Sequence, residues 1–198
     1  MKKDIENIFK KYNNIVEMKT LNESGVTYYR LNELIDQEKV IKIKQGIYKW
    51  NDSDYENHQN ELIDVSLLVK QGVFCLFTAA SYYELTTFVS SEYHIVIPKK
   101  SKIVLPEYPP IKLYYWEDMA YRLGTADVPV DQSIVKMYDI EKTVCDMLRF
   151  KNKVGLDIAK EVLKNYLNRS DRNISKLNMY AQRLNIGKLM NNYLEILL

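Results

Sequence analysis

The most constraining feature of this 198-residue sequence is a pair of short alternating stretches separated by a turn signal. Residues 40–44 are Val-Ile-Lys-Ile-Lys, residues 47–50 are Ile-Tyr-Lys-Trp, and Gln45-Gly46 lies between them. Alternation of apolar and polar side chains matches the two-residue period of a β-strand, and glycine accommodates a tight turn. The pattern therefore predicts a β-hairpin near the N-terminus.

Three helical patterns precede the hairpin. Residues 5–12 have apolar side chains at helical spacing behind an acidic cap, and residues 18–24 form a second short pattern. Gly25 suits the position just after a helix end, where a positive φ costs glycine least. The Thr27 hydroxyl is expected to cap the third helix by accepting the backbone N–H of Arg30. The apolar stripe of that third helix is Leu31, Leu34 and Ile35.

This order of elements is that of a winged helix-turn-helix, in which the second helix of the pair enters the major groove of DNA. Backbone N–H groups at the start of that helix point towards phosphate, and lysines on the hairpin meet backbone charge. Two alternatives stay open. Three short helices and a hairpin also serve as protein-docking modules, and Tyr28 and Tyr29 could pack in the core instead of contacting bases. The predicted DNA-binding residues are Lys19, Thr27, Tyr28, Tyr29, Arg30, Asn32, Lys42, Lys44, Gln45 and Lys49.

Charge is distributed unevenly along the chain. Residues 1–50 contain ten Lys and Arg against seven Asp and Glu, residues 51–147 contain eight against fifteen, and residues 148–198 contain ten against four. A polyanion would meet both ends more readily than the middle, although lysine-rich helices are often simply solvated. The sequence also predicts a C-terminal basic face. Three interpretations of it stay open: it contacts nucleic acid, it contacts an acidic partner, or it is solvated surface. Its residues are Lys153, Lys160, Lys164, Arg169, Arg172, Lys176 and Arg183.

The remainder of the chain alternates strand and helix patterns. Strands are expected at residues 74–77, 93–97, 111–115 and 134–138. Helices are expected at 56–70, at 78–85 with Thr78 as its cap, and in several segments after Asp139, which caps the first of them. The predicted fold class is α+β, a winged helix-turn-helix followed by a mixed α/β domain with a small sheet and several C-terminal helices. The predicted domains are residues 1–50 and 56–198, with a polar linker at 51–55.

Several classes of protein are disfavoured by the sequence. No apolar run approaches the roughly 18 residues of a membrane span, and the start of the chain lacks a signal-peptide core, so the expected location is cytoplasmic, with no membrane partner. Two cysteines, Cys75 and Cys145, lie in apolar contexts and are expected to be buried, reduced thiols. With only His58 and His94 available, a zinc site has few ligands. No metal and no cofactor are predicted.

No catalytic constellation is evident either. The phosphate-binding and nucleophile-elbow motifs are absent from the sequence. Asp52-Ser53-Asp54 has the spacing of a metal-binding acidic pair but occupies the predicted linker, and Glu117-Asp118 is better explained as a helix start. His94 lies in an apolar strand pattern, which favours a hydrogen-bonded, half-buried side chain over a catalytic base. The prediction is that the protein is not an enzyme.

The order of several short motifs resembles a known family. Leu21, Gly25-Val26-Thr27, Leu31, Leu34-Ile35 and the hairpin up to Tyr48 are similar to the N-terminal winged-helix domain of AbiEi-type antitoxins of bacterial abortive-infection systems. Residues 78–81 with 85–86, residues 138–146, residues 152–155 and Leu177 with Tyr180-Ala181 are similar to the second domain of that family. The likeness covers nearly the whole chain, and it rests on the order of the motifs.

The resemblance implies a bifunctional protein. Its winged helix would bind inverted repeats in its own promoter and repress the antitoxin–toxin pair, and its C-terminal domain would counter a cognate nucleotidyltransferase-like toxin. This is a type IV arrangement, in which the two proteins need not form a stable complex. The chain departs from the family in having Glu38 where members often have glycine after the recognition helix, and in having Gln45 near the position where members often have a basic residue.

Two alternatives come from other classes. One is a metal-dependent enzyme that acts on nucleic acid or on a toxin through the acidic middle of the chain, with Asp52 or Asp118 as metal ligands. The other is a docking adaptor whose winged helix binds no DNA.

Overall fold

A computed structural model describes residues 2–12, 14–51, 58–131 and 133–197. Within these residues the fold is α+β, with eleven helices and two sheets of three and five strands, which confirms the predicted class. The chain forms two compact units. The first unit comprises Met1–Lys70, Ile103–Pro110 and Pro129–Ile134, and the second unit comprises Gln71–Lys102, Ile111–Val128 and Val135–Leu198.

The first seven elements belong to the first unit. They are α1 (Lys2–Lys11), β1 (Ile15–Glu17), α2 (Met18–Glu23), α3 (Tyr28–Asp36), β2 (Val40–Lys44), β3 (Ile47–Trp50) and α4 (His58–Leu68). The three strands form an antiparallel sheet in the order β1-β3-β2, with Ile15 opposite Lys49 and Val40 opposite Trp50. The predicted hairpin is thus present, and β1, which the sequence pattern did not indicate, adds a third strand to it. The core beneath the sheet includes Phe9, Leu21, Leu31, Val40 and Tyr48.

Local hydrogen bonds set the ends of α2 and α3. Gly25 has φ +81°, and the next residue, Val26, donates its N–H to Leu21 O at 2.9 Å, so the chain turns back into the core as expected. Thr27 Oγ1 accepts the Arg30 N–H at 3.3 Å, which confirms the predicted cap of α3. At the end of α3 the same left-handed turn is made by Glu38, at φ +55°.

Helix α4 lies against the hairpin and so belongs to the first unit. Lys49 Nζ donates to Asp64 Oδ2 at 2.5 Å, and Lys44 Nζ donates to the carbonyl of Leu68 at 2.8 Å. A further ion pair joins Lys70 to Glu17. The sequence-based division placed α4 in the second domain with a linker at 51–55. Residues 52–55 of that linker lie outside the described residues, and the first unit extends to Lys70 because of these contacts.

The remaining elements carry the larger sheet and its helices. They are β4 (Val73–Phe74), α5 (Leu76–Tyr82), β5 (Tyr93–Pro98), β6 (Ile111–Trp116), α6 (Asp118–Arg122), β7 (Thr125–Val130), β8 (Ser133–Tyr138), α7 (Ile140–Arg149), α8 (Lys151–Val154), α9 (Leu156–Leu167), α10 (Ile174–Arg183) and α11 (Gly187–Leu197). The strand order is β6-β5-β4-β8-β7, so β6 is an edge strand in the described structure. Strands β5 and β6 pair in parallel, from Tyr93 opposite Ile111 to Pro98 opposite Trp116.

Some local predictions for this region hold and others do not. Asp139 caps α7 by accepting the Lys142 N–H at 2.9 Å, and Glu117 precedes α6, both as predicted. Thr78 is not the cap of α5, which begins two residues earlier at Leu76. Its hydroxyl instead accepts the backbone N–H of His94 at 2.8 Å, because β5 passes beside α5.

Helix α9 and the residue Arg169 just after it hold the segment 83–87 through a row of polar side chains. Glu161 and Asn165 lie four residues apart on one face of the helix, and Arg169 follows two residues after the helix ends at Leu167. Their contacts are Thr87 N–H to Glu161 Oε1 at 3.0 Å, Asn165 Nδ2 to Leu85 O at 3.0 Å, and Arg169 Nη1 to Tyr83 O at 3.2 Å. The segment after α5 is therefore fixed by side chains of a helix some 80 residues further along the chain.

Candidate nucleic-acid interface

The start of α3 presents polar and aromatic groups at the surface of the first unit. Tyr28 and Tyr29 have 56% and 76% of their surface exposed, and Thr27 is also exposed. The core interpretation of the two tyrosines is therefore wrong. The first N–H groups of a helix have no partner within it, and the Thr27 hydroxyl caps only that of Arg30. This end of α3 can therefore offer hydrogen-bond donors and ring edges to a ligand.

The hairpin packs against α3 through β2. Burial raises the pKa of the Tyr48 hydroxyl on β3, and interaction with Tyr28 at the start of α3 raises it further. Tyr48 is opposite Lys42 in the register of β2 and β3. The turn of the hairpin is anchored by the Met18 N–H, which donates to Gly46 O at 2.8 Å. The geometry thus combines the tip of α3 with the exposed Lys42 and Gln45.

The predicted DNA-binding residues divide into an exposed group and a half-buried group. The exposed group is Lys19, Thr27, Tyr28, Tyr29, Lys42 and Gln45, and the half-buried group is Arg30, Asn32, Lys44 and Lys49. Arg30 forms an ion pair with Glu33, and its Nε is buried without a hydrogen-bond partner. Burial lowers the pKa of Lys44. Of the three hairpin lysines, Lys42 alone has no ion pair or hydrogen bond through its amine within the described residues.

Sequence reasoning missed the role of Asp64, which fixes Lys49 on the hairpin. Asp64 is buried, and burial raises the pKa of its carboxyl, while the hydrogen bond and the charge of Lys49 act in the opposite direction. The helical pattern around residue 64 did indicate a buried face, but not which partner that face would meet. The missed signal is an acidic residue within a strongly apolar stretch, Leu62 to Val69.

The C-terminal basic face is only partly free. Exposed members are Lys153, Lys160, Lys164, Arg172 and Arg183. Arg169 is paired with Asp171, with Nε to Oδ1 at 2.8 Å. Lys176 lies 3.0 Å from Asp139 Oδ2 and 2.9 Å from Glu141 Oε2. Burial acts to lower the pKa of Lys176, but the bonds with these two carboxylates outweigh it and raise that pKa. Arg169 and Lys176 therefore serve the fold of the second unit.

A buried ion pair in the second unit was not anticipated from the sequence. Lys142 and Asp146 have 0% of their side chains exposed, and they form a salt bridge one helical turn apart on α7. The Lys142 amine lies 4.3 Å from the ring centroid of Trp116 and 3.9 Å from that of Tyr138. Burial lowers the pKa of Lys142 and raises that of Asp146, and in each case the partner's charge opposes the shift. A β-carbon on Gly124 would lie 2.5 Å from Lys142 Cβ, so glycine makes room for this pair.

The residues considered for catalysis do not come together in the described structure. Asp52-Ser53-Asp54 and the side chain of His58 lie outside the described residues. Asp118 is exposed and bonded to Arg122 at 2.7 Å. His94 is bonded to Ser90 Oγ at 3.0 Å and to Tyr114 Oη at 2.9 Å, as the prediction of a hydrogen-bonded histidine requires. No group of three or more metal-ligating side chains occurs among the described residues.

Two other sequence-based expectations concern the cysteines and the membrane. Cys75 and Cys145 are both free and buried, as expected. Burial raises the pKa of each thiol. None of the helices in the described part of the chain has the length and apolar character needed to cross a bilayer.

Comparison with known proteins gives little beyond this geometry. No protein-family model matches the sequence, and no curated protein matches it. Among solved structures, the chain is similar to the crystal structure of the RV2827C protein from Mycobacterium tuberculosis, with 13% sequence identity and a TM-score of 0.49. The similarity covers 92% of this chain and 75% of that one. A likeness at this level supports no inference about function.

Proposed function

We propose that the first unit is a winged helix-turn-helix that binds duplex DNA, and that the protein is an AbiEi-type antitoxin that represses its own promoter. The observation that carries the proposal is the exposed start of α3, with Thr27, Tyr28 and Tyr29, on a helix that packs against the strand carrying the exposed Lys42. The proposed location is the cytoplasm, where promoter DNA is accessible.

The contacts follow from the dimensions of DNA. The major groove is about 12 Å wide and admits a helix tip, where Thr27, Tyr28 and Tyr29 reach base edges. Lys42 and Gln45 on the hairpin contact the phosphate backbone, as does Lys19 on α2 once its weak exposed pair with Glu23, at 3.9 Å, gives way. Two copies of the chain would occupy the two halves of an inverted repeat.

The antitoxin half of the proposal is supported by the resemblance of short motifs along nearly the whole chain. In this arrangement the second unit counters a nucleotidyltransferase-like toxin, without a stable complex being required. The exposed lysines and arginines of the C-terminal basic face are its proposed working surface, and the chain itself performs no catalysis and needs no cofactor.

DNA binding is tested by fluorescence anisotropy with the duplex upstream of the gene, over a series of salt concentrations. Lys42→Gln should reduce the slope of log affinity against log salt by about one, because one phosphate contact is lost. Tyr29→Ala should weaken binding by roughly tenfold or more and reduce the discrimination between operator and random DNA. The matched control is Lys11→Gln on α1, which should leave both quantities unchanged. Absence of binding at low salt would contradict the proposal.

Antitoxin activity is tested by co-expression with the product of the neighbouring reading frame. The chain should restore growth if that product is a nucleotidyltransferase-like toxin. A triple neutralisation of Lys160, Lys164 and Arg172 should abolish rescue and leave promoter affinity unchanged if this face acts on the toxin. Loss of promoter affinity with retained rescue would instead assign the face to DNA.

One observation favours the docking adaptor as a second candidate. The amines of Lys44 and Lys49 are held by α4, and three acidic side chains lie on or just after α3, namely Glu33 and Asp36 in the helix and Glu38 in the turn that follows. A surface with few free cations suits a protein partner better than a polyanion. A negative result in the low-salt DNA assay would select this candidate.

A further inference from the structure

A groove of about 460 Å³ lies within the second unit, beside the edge strand β6. Its volume falls in the range of small-ligand sites, about 300–1,000 Å³. The lining residues that matter for its chemistry come from the end of β6, the residue after it, and the segment from the end of α7 into α8. They are Trp116, Glu117, Arg149, Phe150 and Lys153.

Arg149 is held in place by aromatic rings and not by hydrogen bonds. Its guanidinium carbon lies 4.8 Å from the ring centroid of Trp116 and 4.5 Å from that of Phe150. The nearest carboxylate, Asp146 Oδ1, is 3.6 Å from Nη1, which is too long for a hydrogen bond. Within the described residues none of its five N–H donors is used, so a fixed fork of donors faces an unfilled groove.

The charge balance of the groove is positive. Lys153 is exposed, has no ion pair in the described structure, and lies 5.8 Å from the Phe150 ring centroid. The acidic residue of the lining, Glu117, is paired with Lys99. Asp146 lies behind the groove, and its charge is matched by the buried Lys142. An anion in this groove would therefore meet Lys153, which is unpaired in the described structure, and Arg149, which shares its one carboxylate partner, Asp146, with Lys142.

The same groove has flat apolar surface. Phe150 is half-buried and stacks on Trp116, with ring centroids 5.5 Å apart and planes 17° from each other. Trp116 stacks on Tyr138 as well and is 6% exposed, so the accessible ring of this surface is that of Phe150. Aromatic faces stack on nucleobases with little regard to sequence, by roughly 1–3 kcal/mol per base. A guanidinium, a free ammonium and the partly exposed Phe150 ring together suit a ligand that is both anionic and planar.

We propose that this groove binds a nucleoside phosphate, with the phosphate on the Arg149 fork and Lys153 and the base against Phe150. The ligand is either a free nucleotide or a nucleotide unit of an RNA strand, since both present the same chemistry. This inference does not depend on DNA binding by the first unit, and either can fail without the other.

The experiment uses the intrinsic fluorescence of Trp116. The chain has two tryptophans, so Trp50→Phe leaves Trp116 as the reporter. ATP, a short single-stranded RNA and inorganic phosphate are titrated separately into this background. Arg149→Lys retains the charge but removes the fork and should weaken ATP or RNA binding at least tenfold. Lys153→Gln should weaken it several-fold, and Lys188→Gln, an exposed cation of α11 away from the lining, should have no effect.

The outcomes separate the ligand sources and the proposal from its failure. Saturable binding of ATP tighter than phosphate supports a free nucleotide, and tighter binding of RNA than of ATP supports an RNA strand. Binding of phosphate as tight as either would overturn the nucleoside part, leaving a simple anion site. The absence of any saturable response would overturn the proposal. So would affinities of Arg149→Lys and Lys153→Gln that equal the affinity of the Trp50→Phe background. The exposed Lys153 keeps the test valid if Arg149→Lys does not fold.

Discussion

The two compact units use lysine–aspartate pairs in opposite ways. In the first unit Lys49 reaches Asp64 from a partly exposed position, with 32% of the lysine side chain accessible to water. In the second unit Lys142 and Asp146 are wholly excluded from water and enclosed by the rings of Trp116 and Tyr138. The same chemical pair therefore tethers a helix in one unit and fills the interior of a core in the other.

The difference shows that environment, and not the pair itself, sets the energetic role. In a partly hydrated pair, water screens the Coulomb attraction, so breaking the pair changes the free energy of unfolding less than breaking a buried pair does. A buried pair has already lost the hydration of both ions, so the removal of one partner leaves an uncompensated charge in the interior. Four predictions compare the stability of the two units, from the largest expected effect to the smallest, and the substitutions at Asp146 and Lys49 test this contrast directly.

Asp146→Asn should destabilise the second unit most, by about 3–5 kcal/mol, because it leaves the Lys142 ammonium buried without its counterion. Urea denaturation at neutral pH measures the change. The matched control is Lys136→Gln, which breaks the exposed pair with Asp127 and should change stability by less than about 1 kcal/mol. Equal effects of the two substitutions would remove the contrast between buried and exposed pairs.

The pH dependence of His94 comes next. Burial, with a contribution from Lys112, lowers its pKa to about 4, below the ordinary value of 6.5. As pH falls from 6.5 to 4 the unfolded chain binds this proton before the folded chain does, so stability is lost across that window, by up to about 3 kcal/mol. His94→Gln should remove this component, seen as a flatter stability profile between pH 7 and 4. An unchanged profile would contradict the assignment.

Lys49→Met should destabilise the first unit by about 1–2 kcal/mol at neutral pH, because buried Asp64 loses its partner. Burial raises the pKa of Asp64, so on acidification the folded state takes up this proton before the unfolded chain does. The deficit of the variant should therefore shrink as pH falls, opposite in sign to the effect of His94. The control is Lys42→Gln on the same hairpin. Urea denaturation at neutral and at acidic pH should show neither the loss of stability nor its decrease on acidification in this variant.

Glu38→Gly is expected to stabilise the first unit by about 0.5–1 kcal/mol, because a left-handed backbone strains a residue that has a β-carbon. Glu38→Gln, which removes the charge and keeps the β-carbon, separates the backbone effect from the electrostatic one. Thermal unfolding measures both. A gain of the same size in Glu38→Gln would show that charge, not φ, limits this turn.

Features determined by near neighbours in sequence were predictable. The Thr27 and Asp139 caps and the turn at Gly25 depend on groups within a few residues, so a side chain of the right type at the right spacing was sufficient. The alternating pattern likewise predicted the hairpin. Thr78 shows the limit of this reasoning, since its hydroxyl is used by His94, 16 residues further along the chain.

Features that depend on distant partners were not predictable. Strand β1 is three residues long and is defined by its pairing with β3, and the Lys142–Asp146 pair is recognisable only once Trp116 and Tyr138 enclose it. For the candidate interface, the sequence indicated the helix tip and Lys42. It did not reveal that Lys44 and Lys49 are used by α4, because strand periodicity assigns a side chain to a face but does not identify what covers that face.

The polar row on α9 makes the second unit sensitive to helical phase. Glu161 and Asn165 meet the 83–87 segment because they are separated by about one turn of 3.6 residues, and Arg169 meets it from two residues beyond the end of the helix. Insertion of a single residue between Glu161 and Asn165 would rotate Asn165 by roughly 100° and carry it off that face. Length changes in α9 are thus far more disruptive here than most substitutions, and an insertion of a whole turn would do less harm than an insertion of one residue.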